Sequence, residues 1–206
     1  MTTPAHGAGS PAGSAAKTAV RDRLLTARRR RSLAESVAVG EALRDHLLAT
    51  PEVRRAATVA AYVSLPGEPG TALLLEALRE SGTRVLLPVL LADGDLDWAP
   101  YGGEGTLAAR RLGLLEPTAA PLGPDAVATA DAVLVPGLAV DRTGHRLGRG
   151  GGSYDRVLTR VPVGTFTCVL LHEDEVLDRV PTEDHDRPVT AVATPRGVRR
   201  FGVTPP

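Results

Sequence analysis

The segment Leu134–Arg156 reads LVPGLAVDRTGHRLGRGGGSYDR and places this chain among the α/β proteins. It begins within the short apolar run Ala132–Val135, whose composition is typical of a strand at the centre of a parallel sheet. In the loop that follows, four of the five positions from 148 to 152 are glycine, and the pattern predicts a helix from about Gly152 to Arg160. Strand, loop and helix in this order form the repeating unit of an α/β fold.

The flanking sequence continues this alternation. Thr71 is predicted to cap a helix that runs to Glu80 and is ended by Gly82. Residues 102–130, rich in glycine, proline and alanine, are expected to form a long loop with a turn at 115–117. Further strands are predicted at Ala57–Val63, Arg84–Val89, Leu96–Tyr101, Thr165–Leu171 and Val189–Val192. These elements predict a three-layer α/β/α domain with a mainly parallel sheet and with strand 96–101 at an edge.

The N-terminal third of the chain has a helical pattern. Apolar positions recur at helical spacing from residue 17 to residue 49. The pattern predicts a break after Arg28–Arg31, a cluster expected to be solvent-exposed, and a second helix capped by Ser32. Residues 1–15 offer nothing to bury and are predicted to be a disordered tail. The sequence thus predicts a long N-terminal helical segment and a single domain spanning residues 16–203.

The composition excludes several classes of protein. Twenty-four basic residues balance 24 acidic ones, which argues against binding to a nucleic-acid backbone. The single cysteine, Cys168, excludes an internal disulfide framework and a thiolate-cluster metal site, and is expected to be an inert buried thiol. No apolar run approaches the roughly 18 residues of a membrane span. We therefore expect a cytoplasmic monomer that binds neither nucleic acid nor a membrane.

The glycine loop has the residue types of a nucleotide phosphate site. Glycines let backbone N–H groups approach an anion closely, and a helix N-terminus adds partial positive charge. Arg146 and Arg149 bracket the loop as fork-shaped donors, and Asp155 is placed to hold Mg²⁺. Neither the dinucleotide fingerprint nor the P-loop motif fits these residues. A glycine-rich surface turn remains an alternative. Lys17, the only lysine among the 24 basic residues, is either a phosphate ligand or a chance survivor of arginine-rich composition.

The residues 136–156, PGLAVDRTGHRLGRGGGSYDR, resemble the signature of the 5-formyltetrahydrofolate cyclo-ligase family, P-G-[LV]-A-[FV]-D-x-x-G-x-R-L-G-x-G-x-G-[YF]-Y-D-R. The similarity extends from Lys17 to about Thr194. Lys17 and Arg21 are similar to a K-x-x-x-R pair that meets ATP phosphates in that family. The stretch 64–71, SLPGEPGT, resembles a loop whose acid contacts the folate, and 181–186, PTEDHD, resembles P-x-E-x-H-D, whose aspartate is associated with Mg²⁺.

The resemblance implies an ATP- and Mg²⁺-dependent enzyme that converts 5-formyltetrahydrofolate to 5,10-methenyltetrahydrofolate, ADP and phosphate. The implied catalytic residues are Lys17, Arg149 and Asp155, and the implied metal ligands are Asp155 and Asp186. The implied folate-binding residues are Leu65, Glu68, Arg149, Gly150, Gly151, Gly152 and Ser153. The implied ATP-binding residues are Lys17, Thr18, Ala19, Val20, Arg21, Arg146, Leu147, Gly148, Arg149, Gly150, Gly151, Gly152, Ser153 and Tyr154.

The sequence also departs from the family pattern. Ser153 stands where the family has an aromatic residue, Gly70 where it has an acid, and Glu175 where it commonly has glutamine. Two alternatives therefore stay open, a non-catalytic nucleotide- or folate-binding relative and another α/β enzyme acting on a phosphate-bearing molecule. Several residues also have structural interpretations: an ion pair with Arg187 or Arg179 for Asp186, core packing for Tyr154 and Trp98, and structural roles for His172 and His185.

Overall fold

A computed structural model describes residues 11–183 and 186–202. The helices are α1 (Pro11–Arg28), α2 (Leu33–Ala49), α3 (Pro51–Arg54), α4 (Ala72–Glu80) and α5 (Ser153–Arg160). The strands are β1 (Thr58–Ala60), β2 (Arg84–Leu90), β3 (Leu96–Pro100), β4 (Leu107–Ala109), β5 (Leu115–Pro117), β6 (Ala132–Pro136), β7 (Ala139–Val140), β8 (Arg146–Leu147), β9 (Phe166–Leu170), β10 (Ala191–Thr194) and β11 (Gly197–Arg200).

The main sheet has seven strands in the order β11-β10-β9-β6-β1-β2-β3. The five inner strands, β10, β9, β6, β1 and β2, run parallel to one another. The two edge strands, β3 and β11, pair antiparallel with their neighbours. The predicted mainly parallel sheet is therefore confirmed, and so is the edge position of the strand that follows β2.

Helices cover both faces of this sheet. Leu134 packs on one face with residues of α2 and α4 such as Leu43 and Leu78. Its neighbour Val133 packs on the other face with Val157 of α5. Successive residues of β6 thus point to opposite helical layers, which explains why this strand is apolar throughout. The predicted three-layer α/β/α arrangement is confirmed.

Trp98 and Cys168 lie in these two cores, fully buried as predicted. Burial raises the pKa of the Cys168 thiol, consistent with an inert thiol. Among the described residues, no helix is long and apolar enough to cross a bilayer.

The predicted break in the N-terminal helical segment is present. Helix α1 ends at Arg28, and Ser32 caps α2 through a capping box in which its side chain and that of Glu35 satisfy each other's backbone N–H groups. Helix α1 begins at Pro11, five residues before the domain boundary predicted at Ala16. Residues 1–10 of the predicted tail lie outside the described residues.

The predicted capping role of Thr71 is wrong. Its hydroxyl donates to the carbonyl of Tyr62 at 2.8 Å and accepts from the N–H of Ser64 at 2.9 Å, so it makes no cap bond to α4. It instead closes the loop that follows β1. Gly82 does follow α4, and its φ of +85° lies in the left-handed region where glycine is favoured.

Three short pairings were not predicted. The expected loop at 102–130 contains the hairpin β4–β5, and the expected turn at 115–117 is itself strand β5. β7 and β8 form a second hairpin, and β11 is added to the sheet after β10. Strands of two to four residues carry too short a periodic pattern to be recognised without their partners.

Candidate active site

The candidate site is a cleft of about 440 Å³ at the carboxyl ends of β1, β2 and β6, where parallel sheets bind ligands. Its lining includes Tyr62, Leu65 and Glu68 from the segment after β1, together with loop 148–152. Most of the residues implied by the resemblance lie on its wall. These are Lys17, Arg21, Leu65, Glu68, Arg146, Leu147, Gly148, Arg149, Gly150, Gly151, Gly152, Ser153, Tyr154, Asp155 and Asp186.

Three of the implied ATP-binding residues do not line the cleft. Thr18 and Ala19 are exposed on α1. Val20 packs against the small apolar cluster around Leu138 and Leu147. The spacing of α1 explains this arrangement, because Lys17, Arg21 and Arg28 fall on one helical face and the three intervening residues do not.

The hairpin β7–β8 carries the glycine loop to the cleft. Its turn is shaped by the buried carboxylate of Asp141, which accepts hydrogen bonds from the N–H groups of Thr143, His145 and Val180. Burial acts to raise the pKa of Asp141, but these hydrogen bonds hold it below its ordinary value. A β-carbon at Gly144 would meet the carbonyl of Val189 at 2.4 Å, so this turn requires glycine. Asp141 and Gly144 therefore have structural roles in the signature.

Two glycines in the last part of the loop have left-handed backbone conformations. Gly150 has φ of +102° and Gly152, the N-cap of α5, has φ of +68°. These values favour glycine, since a β-carbon is strained there. The loop lines the cleft and leads directly into the N-terminus of α5, the combination that anion sites use.

Each basic side chain on the cleft wall is held by an acceptor. The Nε of Arg21 donates to the carbonyl of Gly148 at 2.9 Å, and the Nε of Arg149 donates to the Oε1 of Glu68 at 3.0 Å. Arg146 donates to Asp155 at 2.8 Å. The positive charges are therefore oriented toward one space before any ligand arrives.

Lys17 is 5% exposed, and its ammonium lies between two carboxylates. Its Nζ is 2.9 Å from Glu183 Oε2 and 2.8 Å from Asp186 Oδ2. Asp186 thus forms an ion pair, but with Lys17, a partner that the sequence did not predict. These contacts fix the ammonium on the cleft wall and place Asp186 beside it.

The side chain of Arg146 is the most enclosed of these cations, at 3% exposed against 7% for the side chain of Lys17. Burial lowers the pKa of its guanidinium, and the charge of Asp155 acts in the opposite direction. The guanidinium carbon lies 5.9 Å from the centre of the Tyr154 ring, a cation–π distance. Within the described residues, Arg146 Nε has no hydrogen-bond partner, and neither do the buried hydroxyls of Tyr154 and Tyr62. These polar groups border the cleft and fit a polar ligand.

Ser153 connects the glycine loop to the turn between β2 and β3. Its hydroxyl donates to the carbonyl of Gly94 at 2.5 Å, which ties the start of α5 to the turn between β2 and β3. Arg156 donates to the same carbonyl at 2.5 Å. The departure at Ser153 therefore replaces a ring with a hydrogen bond to the neighbouring turn.

The carboxylates fit a Mg²⁺ ion only in combination with a ligand. No group of three or more candidate metal-binding side chains occurs among residues 11–183 and 186–202. Mg²⁺ is, however, usually held by one or two carboxylates together with phosphate oxygens and water. Asp155 and Asp186, both on the wall of the cleft, match that donor set.

Several features of the site were missed by sequence reasoning. Tyr62, Glu116 and Glu183 line the cleft, and so do leucines of the β4–β5 hairpin: Leu112, Leu114 and Leu115. Only Glu183 had a sequence signal, because it belongs to the PTEDHD motif. The others follow no motif: Tyr62 reaches the cleft through the segment after β1, and Glu116 and the three leucines reach it through the hairpin.

The predicted exposure of the Arg28–Arg31 cluster is wrong for Arg28. This side chain is buried and makes two hydrogen bonds to the Glu175 carboxylate, at 2.6 and 2.7 Å. It also donates to the carbonyl of Gly137 at 2.7 Å, at the start of the site's main segment. His172, beside Glu175, is buried and has a structural position as predicted, while His185 lies outside the described residues.

Comparisons with known proteins identify the family of this chain. The sequence profile of the 5-formyltetrahydrofolate cyclo-ligase family matches residues 13–195. A protein of that name from Mycolicibacterium smegmatis is 44% identical over 174 residues, covering 81% of this chain and 88% of the relative. The Escherichia coli K12 protein of the same name is 34% identical over 180 residues, covering 82% and 96%.

A solved structure shows the same fold. The NMR structure of Aquifex aeolicus 5,10-methenyltetrahydrofolate synthetase superimposes with a TM-score of 0.79 at 27% identity, covering 92% of this chain and 95% of that one. The family profile, the relatives and the fold thus agree with the signature at 136–156. This chain belongs to the 5-formyltetrahydrofolate cyclo-ligase family.

Proposed function

We propose that this protein is an ATP- and Mg²⁺-dependent enzyme that converts 5-formyltetrahydrofolate to 5,10-methenyltetrahydrofolate. The observation that carries the proposal is the convergence of Lys17, Arg146 and Arg149 with the glycine loop 148–152 on one cleft. Such a set of cations and backbone N–H groups suits a triphosphate. The names of the relatives support the choice of folate substrate.

The reaction needs no nucleophilic side chain. The formyl oxygen of the folate attacks the γ-phosphorus of ATP, and the bond from that phosphorus to the ADP oxygen breaks. The folate N10 then attacks the activated formyl carbon, loses its proton and closes the ring as the carbon–oxygen bond to phosphate breaks. Catalysis is therefore alignment together with neutralisation of phosphate charge, as in other phosphoryl transfers.

The lining of the cleft has a charged part and an apolar part, which suit the two substrates. The charged part includes Lys17, Arg21 and Arg146, which would bind the phosphates. The apolar part would enclose the folate rings; it includes Pro88, Leu90, Leu96, Leu112 and Leu114. Arg149 is bonded to Glu68, and its side chain is 44% exposed. It can therefore turn from Glu68 toward a phosphate when ATP binds.

Asp155 and Asp186 would hold Mg²⁺, which supplies positive charge to the phosphate oxygens when bound. Replacing Asp155 with asparagine is expected to raise the Mg²⁺ concentration for half-maximal activity about 10- to 100-fold, because one anionic ligand is lost. A Mg²⁺ titration at saturating ATP measures this shift. Asp178→Asn is the matched control, since Asp178 is exposed and pairs only with Arg142 among the described residues. A normal Mg²⁺ requirement in Asp155→Asn would remove Asp155 from the metal site.

The proposed function is tested directly by mixing the protein with 5-formyltetrahydrofolate and MgATP. Near-ultraviolet absorbance of the methenyl product should grow, and omission of ATP should abolish it. A flat trace from folded protein that still binds ATP would identify a non-catalytic relative. Binding of a sugar phosphate or coenzyme A in place of ATP would favour the other α/β enzyme.

We also infer a single domain, now starting at Pro11, since one sheet takes strands from Thr58 to Arg200 and α1 packs against the β7–β8 hairpin. The expectation of a cytoplasmic monomer stays a prediction. Size-exclusion chromatography with light scattering tests the monomeric state.

A further inference from the structure

Glu116 is an acidic residue of the cleft that belongs neither to the signature nor to the ion pairs of the charged part. It is the middle residue of β5, whose hairpin with β4 contributes to the apolar part of the cleft lining. The residue is 7% exposed. Its Oε1 accepts a hydrogen bond from the N–H of Leu90 at 3.0 Å, which fixes the carboxylate against β2.

The surroundings of Glu116 set it apart from the other acids of the cleft. Glu68 pairs with Arg149, Asp155 with Arg146, and Glu183 and Asp186 with Lys17. Within the described part of the chain, Glu116 has no ion pair and no hydrogen bond besides that of Leu90. A carboxylate enclosed in this way is costly unless donors are supplied to its free oxygen.

The apolar residues beside Glu116 indicate the shape of the ligand that would carry those hydrogen-bond donors. Leu90, Leu96 and Leu114 belong to the apolar part of the cleft lining, and they suit a flat ring system. A carboxylate among such walls recognises a ring edge that carries two neighbouring N–H donors. An ionised carboxylate offers about four lone-pair sites, so Oε1 can accept a ring donor while it keeps the bond from Leu90.

We propose that Glu116 determines substrate specificity by accepting hydrogen bonds from the 2-amino group and N3–H of the folate's pyrimidine ring. This inference rests on the proposed function for the identity of the ligand. The two ring donors lie side by side in one plane, which matches the two oxygens of a carboxylate. A ring with oxygen in place of the 2-amino group would place its own acceptor oxygen against the Glu116 carboxylate, which is also an acceptor. Such a ring would therefore bind more weakly.

The inference predicts a selective loss of folate affinity in Glu116→Gln. This variant keeps the side-chain volume and an oxygen for the Leu90 N–H, but it replaces the second acceptor with a donor. KM for 5-formyltetrahydrofolate should rise about 10- to 100-fold, the range for a hydrogen bond to a charged group. KM for ATP should stay within about twofold of the wild type, because no phosphate contact changes. Glu104→Gln, an exposed site just before the same hairpin, is the matched control.

A binding experiment separates recognition of the ring edge from a general structural effect. Pterin and its 2-oxo analogue lumazine are compared as ligands of the wild-type protein by equilibrium titration. The wild type should bind pterin at least about 10-fold more tightly, and Glu116→Gln should lose or reverse this preference. Equal affinities in the wild type, or an unchanged preference in Glu116→Gln, would overturn the inference even if that variant folds poorly.

The outcomes distinguish this inference from the proposed function. A wild-type protein that turns over 5-formyltetrahydrofolate while Glu116→Gln keeps both its folate KM and its pterin preference refutes the role of Glu116 alone. A wild-type protein that neither turns over this folate nor binds pterin refutes the proposed function and the inference with it.

Discussion

Replacing Lys17 with alanine is expected to lower kcat/KM for ATP about 30- to 1000-fold, equivalent to about 2–4 kcal/mol of transition-state stabilisation. Lys17 is a buried cation on the cleft wall, fixed by two carboxylates at 2.8 and 2.9 Å. The developing charge on the transferred phosphoryl group would therefore lose a pre-oriented ammonium. Steady-state kinetics with ATP varied at saturating folate measure the effect.

The same experiment needs a control for folding, since Glu183 and Asp186 lose a cation when Lys17 is removed. KM for 5-formyltetrahydrofolate is the internal reference and should change little. Lys17→Arg retains the charge but replaces a compact ammonium with a planar fork, so intermediate activity is expected. Unchanged kcat/KM for ATP in Lys17→Ala would place Lys17 outside the phosphate site.

The composition offers an independent check on Lys17. Because the chain has no other lysine, lysine-selective acylation followed by mass spectrometry of the peptide that contains residue 17 reports on this side chain alone. MgATP should slow acylation of Lys17 if phosphates cover the ammonium. Equal rates with and without MgATP would contradict the assignment.

Local signals predicted much of the fold because their physical causes lie close in sequence. Ser32 and Glu35 form the capping box within one turn, and Gly82 supplies the left-handed residue at the end of α4. The apolar composition of β6 follows from burial on both faces. In each case the residues that specify the element are also the residues that form it.

Features that depend on distant partners were not predicted. Arg28 is buried because its partner, Glu175, lies 147 residues further along the chain. Thr71 has the residue type of an N-cap, but the loop after β1 offers its hydroxyl better partners than α4 does. Strand β5 gains its identity from β4 alone, and its own three residues read equally well as a turn.

The residues of the candidate site also divide into those with a local sequence signal and those that depend on distant partners. The glycine loop and its flanking arginines form one continuous segment, so their chemistry was visible in the sequence. Lys17 was singled out by composition and by the resemblance, Glu68 and Asp186 by the resemblance alone, and all three line the same cleft. Tyr62 and Glu116 belong to no motif, and their position on the cleft follows from strand pairing and from the β4–β5 hairpin.

Replacing Arg28 with methionine is expected to lower the free energy of unfolding by about 3–5 kcal/mol, the range for breaking a buried ion pair. The side chains of Arg28 and Glu175 are 2% and 1% exposed, so the variant leaves a buried carboxylate without its cation. Burial acts to lower the pKa of Arg28, but the hydrogen bond and charge of Glu175 outweigh it and the pKa is raised. Urea denaturation followed by circular dichroism measures the loss.

The neighbouring pair Arg31–Asp174 is a matched control for this prediction, because it joins the same two segments at the surface. Its side chains are 21% and 61% exposed, so Arg31→Met should cost less than about 1 kcal/mol. The double variant Arg28→Met/Glu175→Met removes both buried charges and should recover much of the loss. An equal or smaller loss of unfolding free energy in Arg28→Met than in Arg31→Met would contradict the prediction. It would mean that solvent reaches Glu175 and that the hydrogen bond from Arg28 to Gly137 does not hold α1 against the active-site segment.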